Sequence, residues 1–182
     1  GIADMDFQAP PCITRALAER CKHENWGYMS TPRSFYQQIA DWDMRRNGLE
    51  VDPETITLSD GVHPALIAAL KAVSPPGSKV LLTTAVYSGF YMDLRQSRTL
   101  EENSPMIEEN GRYRIDFDDF ESRMSHDTDA LILCNPQNPT GNCWSEEDLL
   151  RLGRMCLEHR VVAVSYTHLR AHETDSYLVC RL

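Results

Sequence analysis

The sequence predicts an α/β protein built on a mainly parallel sheet with helices on both faces, preceded by an N-terminal helical arm. Two observations carry this. From residue 54 onward, continuous apolar runs (TITL, KVLLTTAV, ALILCN and VVAV) alternate with helical segments. Strands covered on both faces read as such runs, because neither face meets water. Residues 1–48 instead hold two amphipathic helical patterns, the signature of an arm rather than of a sheet.

In chain order, Pro10 and Pro11 stand where a helix can begin, and CITRALAERCKHE places Ile13, Leu17 and Cys21 on one face before NWG ends it. RSFYQQIADWDMRRNG follows, with Phe35, Ile39 and Trp42 on one face and Gly48 as the C-terminal stop. TITL predicts a strand, PALIAALKAV a helix, KVLLTTAV a strand, and the stretch near 88–97 a helix. Arg98–Arg114, interrupted by Pro105 and Gly111, reads as one strand plus a loop or hairpin. DFDDFESRM predicts a helix before the strand ALILCN. SEEDLLRLGRMCLEH is a helix with Ser145 as N-cap and an acidic first turn, and VVAV must then enter the sheet.

With 182 residues, 42% hydrophobic and 25% charged, the chain can bury a sizeable core. A net charge of -9 argues against nucleic acid or an anionic membrane as partner, since those surfaces select basic faces, and leaves a small molecule as the expected ligand. No apolar run reaches the roughly 18 residues of a membrane span, and the first residues lack the regions of a signal peptide. A cytoplasmic protein is expected. Cysteines 12, 21, 134, 143, 156 and 180 form no C-x-x-C pair or zinc spacing, so reduced, mostly buried thiols and no metal are expected.

Neither end reads as native. The chain opens on Gly1 in a segment already rich in Asp, Pro and apolar residues, so residues are expected to precede it. Near residue 164 periodicity and caps stop. The run Val164–Thr174 is what a transposon-end sequencing adapter encodes in one frame, and LVCRL fits the adapter's continuation after an index-length gap. Residues 164–182 are therefore expected to be a read-through tail. His168 and His172 have the spacing of paired zinc ligands on a helix, but the glutamate that should follow the first is absent.

Three stretches fall at strand ends, where open α/β sheets bind ligands. TLSDGVHPAL turns on a glycine into a helix, so the N–H groups around Gly61 and Val62 could face a phosphate, although a glycine before a helix is also ordinary turn chemistry. TTAVYSGF places Tyr87 just past a strand, where a core aromatic is the simpler explanation. CNPQNPTGNCW is more specific: two Asn-Pro pairs and a glycine force a rigid turn that presents Asn side chains at the strand's end.

NPQNPTG resembles the N-P-x-N-P-T-G hallmark of fold-type-I enzymes dependent on pyridoxal 5'-phosphate (PLP). With ADMDFQAPPCI, GYMSTP, SDGVHPAL and AVYSGFY in the same order, residues 1 to about 163 resemble the cystathionine β-lyase or carbon–sulfur lyase (MalY/PatB-like) branch of the class I/II aminotransferases. The resemblance implies residues 1–48 as arm and dimer-contact helices and 49–163 as part of the PLP-binding large domain. It implies Asn138 on the pyridine 3-oxygen, Tyr87 stacked on the ring, Gly61 and Val62 on the phosphate, and Tyr28 reaching the neighbouring subunit's phosphate in a homodimer. Asp4 and Met5 would lie near a small amino-acid substrate. In such enzymes PLP acts as electron sink while a lysine removes the α-proton and the β-thiol leaves.

The chain departs from that pattern in two places. Lys22, Lys71 and Lys79 are its three lysines, and none follows the NPTG loop or stands in the family's Ser-Lys context. Where the family has an aspartate for the pyridine nitrogen, VVAVS is followed by Tyr166. The expected function is thus that of a fragment, without its catalytic lysine, of a PLP-dependent β-lyase. An aminotransferase, or a regulatory protein carrying this fold, is the alternative.

Overall fold

The computed structural model describes residues 6–28 and 30–166. Asp4, Met5 and the tail beyond Tyr166, with His168 and His172, lie outside the described residues. The chain divides into two compact units, 1–56 and 57–182.

The first unit holds α1 (Pro11–Cys21), α2 (Arg33–Asn47) and a 3-10 turn at Pro53–Thr55. Gly48 ends α2 in the left-handed conformation that glycine adopts without steric cost. Ala40 and Asp43 are the buried positions of α2, and α1 buries none. Phe35 and Trp42, expected on the apolar face of α2, are exposed at 37% and 52%.

The second unit opens with α3 (Val62–Val73), β1 (Lys79–Thr84), α4 (Gly89–Ser97) and β2 (Leu100–Pro105). The hairpin β3 (Ile107–Glu109) and β4 (Arg112–Arg114), α5 (Phe117–Ser122), β5 (Thr128–Cys134), α6 (Glu146–His159) and β6 (Val162–Tyr166) follow. Four strands form one parallel sheet in the order β2-β1-β5-β6.

Alternate residues of the central strands serve opposite faces. Val80, Leu82, Ala130, Ile132 and Val164 pack with Leu66 and Leu70 of α3 and Phe90 and Leu94 of α4. Leu81 and Leu131 pack on the other side with Phe120 of α5 and Leu152, Met155 and Cys156 of α6. Both faces of the central strands β1 and β5 are thus covered, which is why they read as unbroken apolar runs, while the edge strand β2 is polar and more exposed.

Two expectations need correction, while that of one strand plus a loop or hairpin over 98–114 is met. TITL pairs with no strand among the described residues: Asp52 accepts the Glu54 N–H and turns the chain into the 3-10 turn, and Leu58 stays 38% exposed. The stretch 98–114 contains both a sheet strand and a hairpin, because Asn110 and Gly111 take the positive φ that a tight two-residue turn requires. Of the described cysteines, only Cys134 and Cys156 are buried, since Cys12 and Cys21 lie on α1 and Cys143 on a loop. β6 runs past residue 163, with Val164 buried in the core and Tyr166 paired to Cys134. Among the described residues no helix is long and apolar enough to cross a membrane, and no cluster of side chains could hold a metal ion.

Candidate functional site

The strand order fixes where a ligand can sit. β1 leads into α4 on one face of the sheet, while its neighbour β5 leads into α6 on the other. The loops leaving these adjacent strands therefore diverge and open a crevice at their C-terminal ends. Residues 85–88 form one wall and residues 135–144 the other.

Gln137 closes the floor of that crevice. Its side chain is 1% exposed, and its Nε2 donates to the carbonyls of Thr83 at 2.9 Å and Ala85 at 2.8 Å. The loop is held internally as well: Gln137 N–H donates to Asn142 O, Gly141 N–H to Gln137 O, and Thr140 Oγ1 to Asn142 Oδ1. Trp144 anchors its exit, the indole N–H donating to Cys134 O at 3.1 Å and the backbone N–H to Asn135 Oδ1 at 3.2 Å. Asn138 sits on this braced turn half-buried, its side chain making no hydrogen bond within the described residues.

The opposite wall carries Tyr87. Its ring meets Phe90 edge-on at 5.6 Å and lies beside His63 of α3 at 5.9 Å. Gly89 makes this possible, because a Cβ there would stand 2.3 Å from Tyr87 Cε1 and 2.9 Å from His63 Cε1. His63 links the start of α3 to this wall, its Nδ1 lying 2.9 and 2.8 Å from the two carboxylate oxygens of Asp93. Burial pushes the Asp93 carboxyl upward, and the hydrogen bond and charge of His63 oppose that shift.

At the head of α3, Gly61 is the N-cap and no side chain caps the helix. The N–H groups of Gly61, Val62 and His63 have no partner within the described residues, and Pro64 has no N–H to offer. With the helix dipole behind them, such groups suit an anion.

The arrangement thus brings Gly61, Val62, Tyr87 and Asn138 to one edge of the sheet. Tyr28 belongs to the first unit. Burial raises the Cys134 thiol at the end of β5, with an opposing hydrogen bond from the Asn138 backbone, and Cys156 of α6 is pushed up to about 11 by burial. Sequence reasoning passed over Gln137, His63, Gly89 and Asp93. Gln137 occupies the variable position of the motif, and the other three acquire meaning only once α3 and α4 are neighbours.

The donor set suits a flat, phosphorylated aromatic group: uncapped N–H groups for the phosphate, a ring to stack on, and a half-buried amide at the facing strand end. Among the described residues of the second unit it includes no lysine. Lys79 opens β1, with ion pairs to Glu102 and Asp127, at the end of the strand remote from the crevice, and Lys71 lies in the last turn of α3.

Comparison with known proteins agrees with this geometry. Cystathionine beta-lyase PatB of Bacillus subtilis is 44% identical over 165 residues, which are 90% of this chain and 43% of that protein. The PLP-bound C-S lyase of Staphylococcus hominis superposes with a TM-score of 0.85 at 32% identity, covering 90% of this chain and 42% of that one. Cystalysin of Treponema denticola, which contains pyridoxal 5'-phosphate, gives a TM-score of 0.85 at 26% identity over 90% of this chain and 42% of its own. The chain thus spans about two-fifths of the length of these relatives. Residues 1–165 match the family described as aminotransferase class I and II, and the chain belongs to that family.

Proposed function

We propose that this chain forms the cofactor cradle of a PLP-dependent carbon–sulfur β-lyase, which converts cystathionine or cysteine S-conjugates to a thiol, pyruvate and ammonia in the cytoplasm. The observation that carries the reading is the crevice between β1 and β5, where Gln137 draws the NPQNPTG turn against the wall bearing Tyr87. The likeness to a cystathionine beta-lyase and to C-S lyases favours lysis over amino transfer.

Bound PLP supplies an electron sink for removal of the α-proton and loss of the β-thiol. The residues of this chain hold and orient that group. Gly61 and Val62 donate backbone N–H groups to the phosphate, Tyr87 gives the ring a face, and the Asn138 amide donates to the pyridine 3-oxygen. The intact protein works as a homodimer in which Tyr28 reaches the phosphate of the neighbouring subunit, and Asp4 and Met5 lie near the amino-acid substrate.

Two functions of the reaction are not supplied by these 182 residues. Proton removal at Cα needs a lysine, and Lys22, Lys71 and Lys79 are the three available. The pyridine nitrogen needs a carboxylate to stay charged, and Tyr166 at the end of β6 offers a neutral phenol. The chain alone is therefore inactive. The test is to supply L-cystathionine to the full-length protein and assay pyruvate beside keto-acid-dependent amino transfer. Pyruvate release is expected, and transamination without pyruvate would reject the lyase in favour of an aminotransferase.

A further inference from the structure

Asp93 poses a physical question that the cofactor cradle alone does not answer. Its side chain is 2% exposed in the middle of α4, between core residues Phe90 and Leu94, and a carboxylate is rarely buried without a partner. Its partner is His63, whose Nδ1 lies within hydrogen-bonding distance of both carboxylate oxygens. Facing an ionised carboxylate, which only accepts, Nδ1 is the protonated nitrogen and points into the protein.

The pairing changes what His63 can do. A 48% exposed imidazole in the first turn of a helix would ordinarily sample several rotamers. Tied to a buried group, it becomes a fixed surface beside Tyr87, the two rings inclined by 31° at 5.9 Å. Phe90, 1% exposed, holds the Tyr87 ring from another direction, edge-on at 5.6 Å. Gly89 leaves the room that both rings need. Tyr87 is thus set between a buried core ring and an imidazole hydrogen-bonded to a buried carboxylate.

We propose that the Asp93–His63 pair is a positioning device that fixes the tilt of the Tyr87 ring, and with it the orientation of the cofactor ring stacked there. The proposal rests on the reading of Tyr87 as the stacking face. His63 and Asp93 are positioning residues, acting through Tyr87 rather than on the reacting atoms.

The test uses the full-length protein and PLP, with the dissociation constant and the induced circular dichroism of the bound cofactor at saturation as readouts. The dichroism reports ring orientation, which a purely structural role would leave unchanged once the site is full. Removing one partner strands the other, so the informative variant is His63→Ala with Asp93→Leu, which leaves no unpaired buried charge. It is expected to weaken PLP binding roughly 3- to 10-fold, the range of one aromatic contact, and to reduce the dichroism at saturation. Asp93→Asn keeps an oxygen to accept the Nδ1 proton and should restore the wild-type signal. A double variant with wild-type dichroism and affinity overturns the proposal, as does an Asp93→Asn protein that behaves like the double variant, which would indicate a charge effect. Tyr87→Ala separates the two levels. If it alters the dichroism while the double variant does not, only the positioning role fails; if it too is silent, the reading of Tyr87 fails with it.

Discussion

Gln137 bears more on the geometry of the crevice than its place in the sequence suggests. Its amide N–H groups satisfy two carbonyls at the end of β1, and its Oε1 is buried without a partner. Gln137→Leu would leave those carbonyls without this donor and is expected to cost about 1–3 kcal/mol, read as a lowered urea midpoint. A change smaller than a few tenths of a kcal/mol would mean that the loop is held by its internal bonds alone. The residues legible beforehand were those whose chemistry is local: Gly61 before a helix, the prolines and Asn138 in one rigid turn. Gln137 and Asp93 act on partners 52 or 54 and 30 residues away, and no local pattern encodes such a contact.

At the scale of elements, α5 is tied to β2 by a charged cluster remote in sequence from the crevice-lining turns. Arg123 grips Asp119 through two nitrogens at 2.6 and 2.8 Å and reaches Glu102 at 3.1 Å, while Ser104 donates to Asp119 at 2.7 Å. The hydrogen bond from Arg123 is the largest influence holding the Asp119 carboxyl below its ordinary 3.8. A depressed carboxylate stabilises the fold above its unfolded value and loses that contribution as pH falls through the folded one. Arg123→Met should therefore cost about 1 kcal/mol near neutral pH, since the cluster is partly exposed and screened, and the deficit should shrink in acid below 3.8. Urea midpoints across pH check this; a deficit that persists unchanged in acid would assign the loss to packing of the arginine stem. Helices and buried strands were legible because period and apolar runs are local signals. TITL misled because an apolar run states that a segment is buried or extended, not that a neighbouring strand is there to pair with it.

Across the whole molecule, the sheet order places a crevice where β1 and β5 part, the residues at its rim suit a flat phosphorylated ring, and Lys71 and Lys79 of the same unit stand in the last turn of α3 and at the far end of β1. The order β2-β1-β5-β6 was not readable in advance, because alternating strands and helices are compatible with several orders, and the order decides which loops face each other. The most direct measurement is equilibrium dialysis of the 182-residue chain against PLP, followed by borohydride reduction and peptide mapping. The expected result is saturable binding that dialysis reverses, that Tyr87→Ala weakens, and that leaves no lysine modified in proportion to bound cofactor. Cofactor that survives dialysis and is fixed by borohydride on Lys22, Lys71 or Lys79 would contradict it.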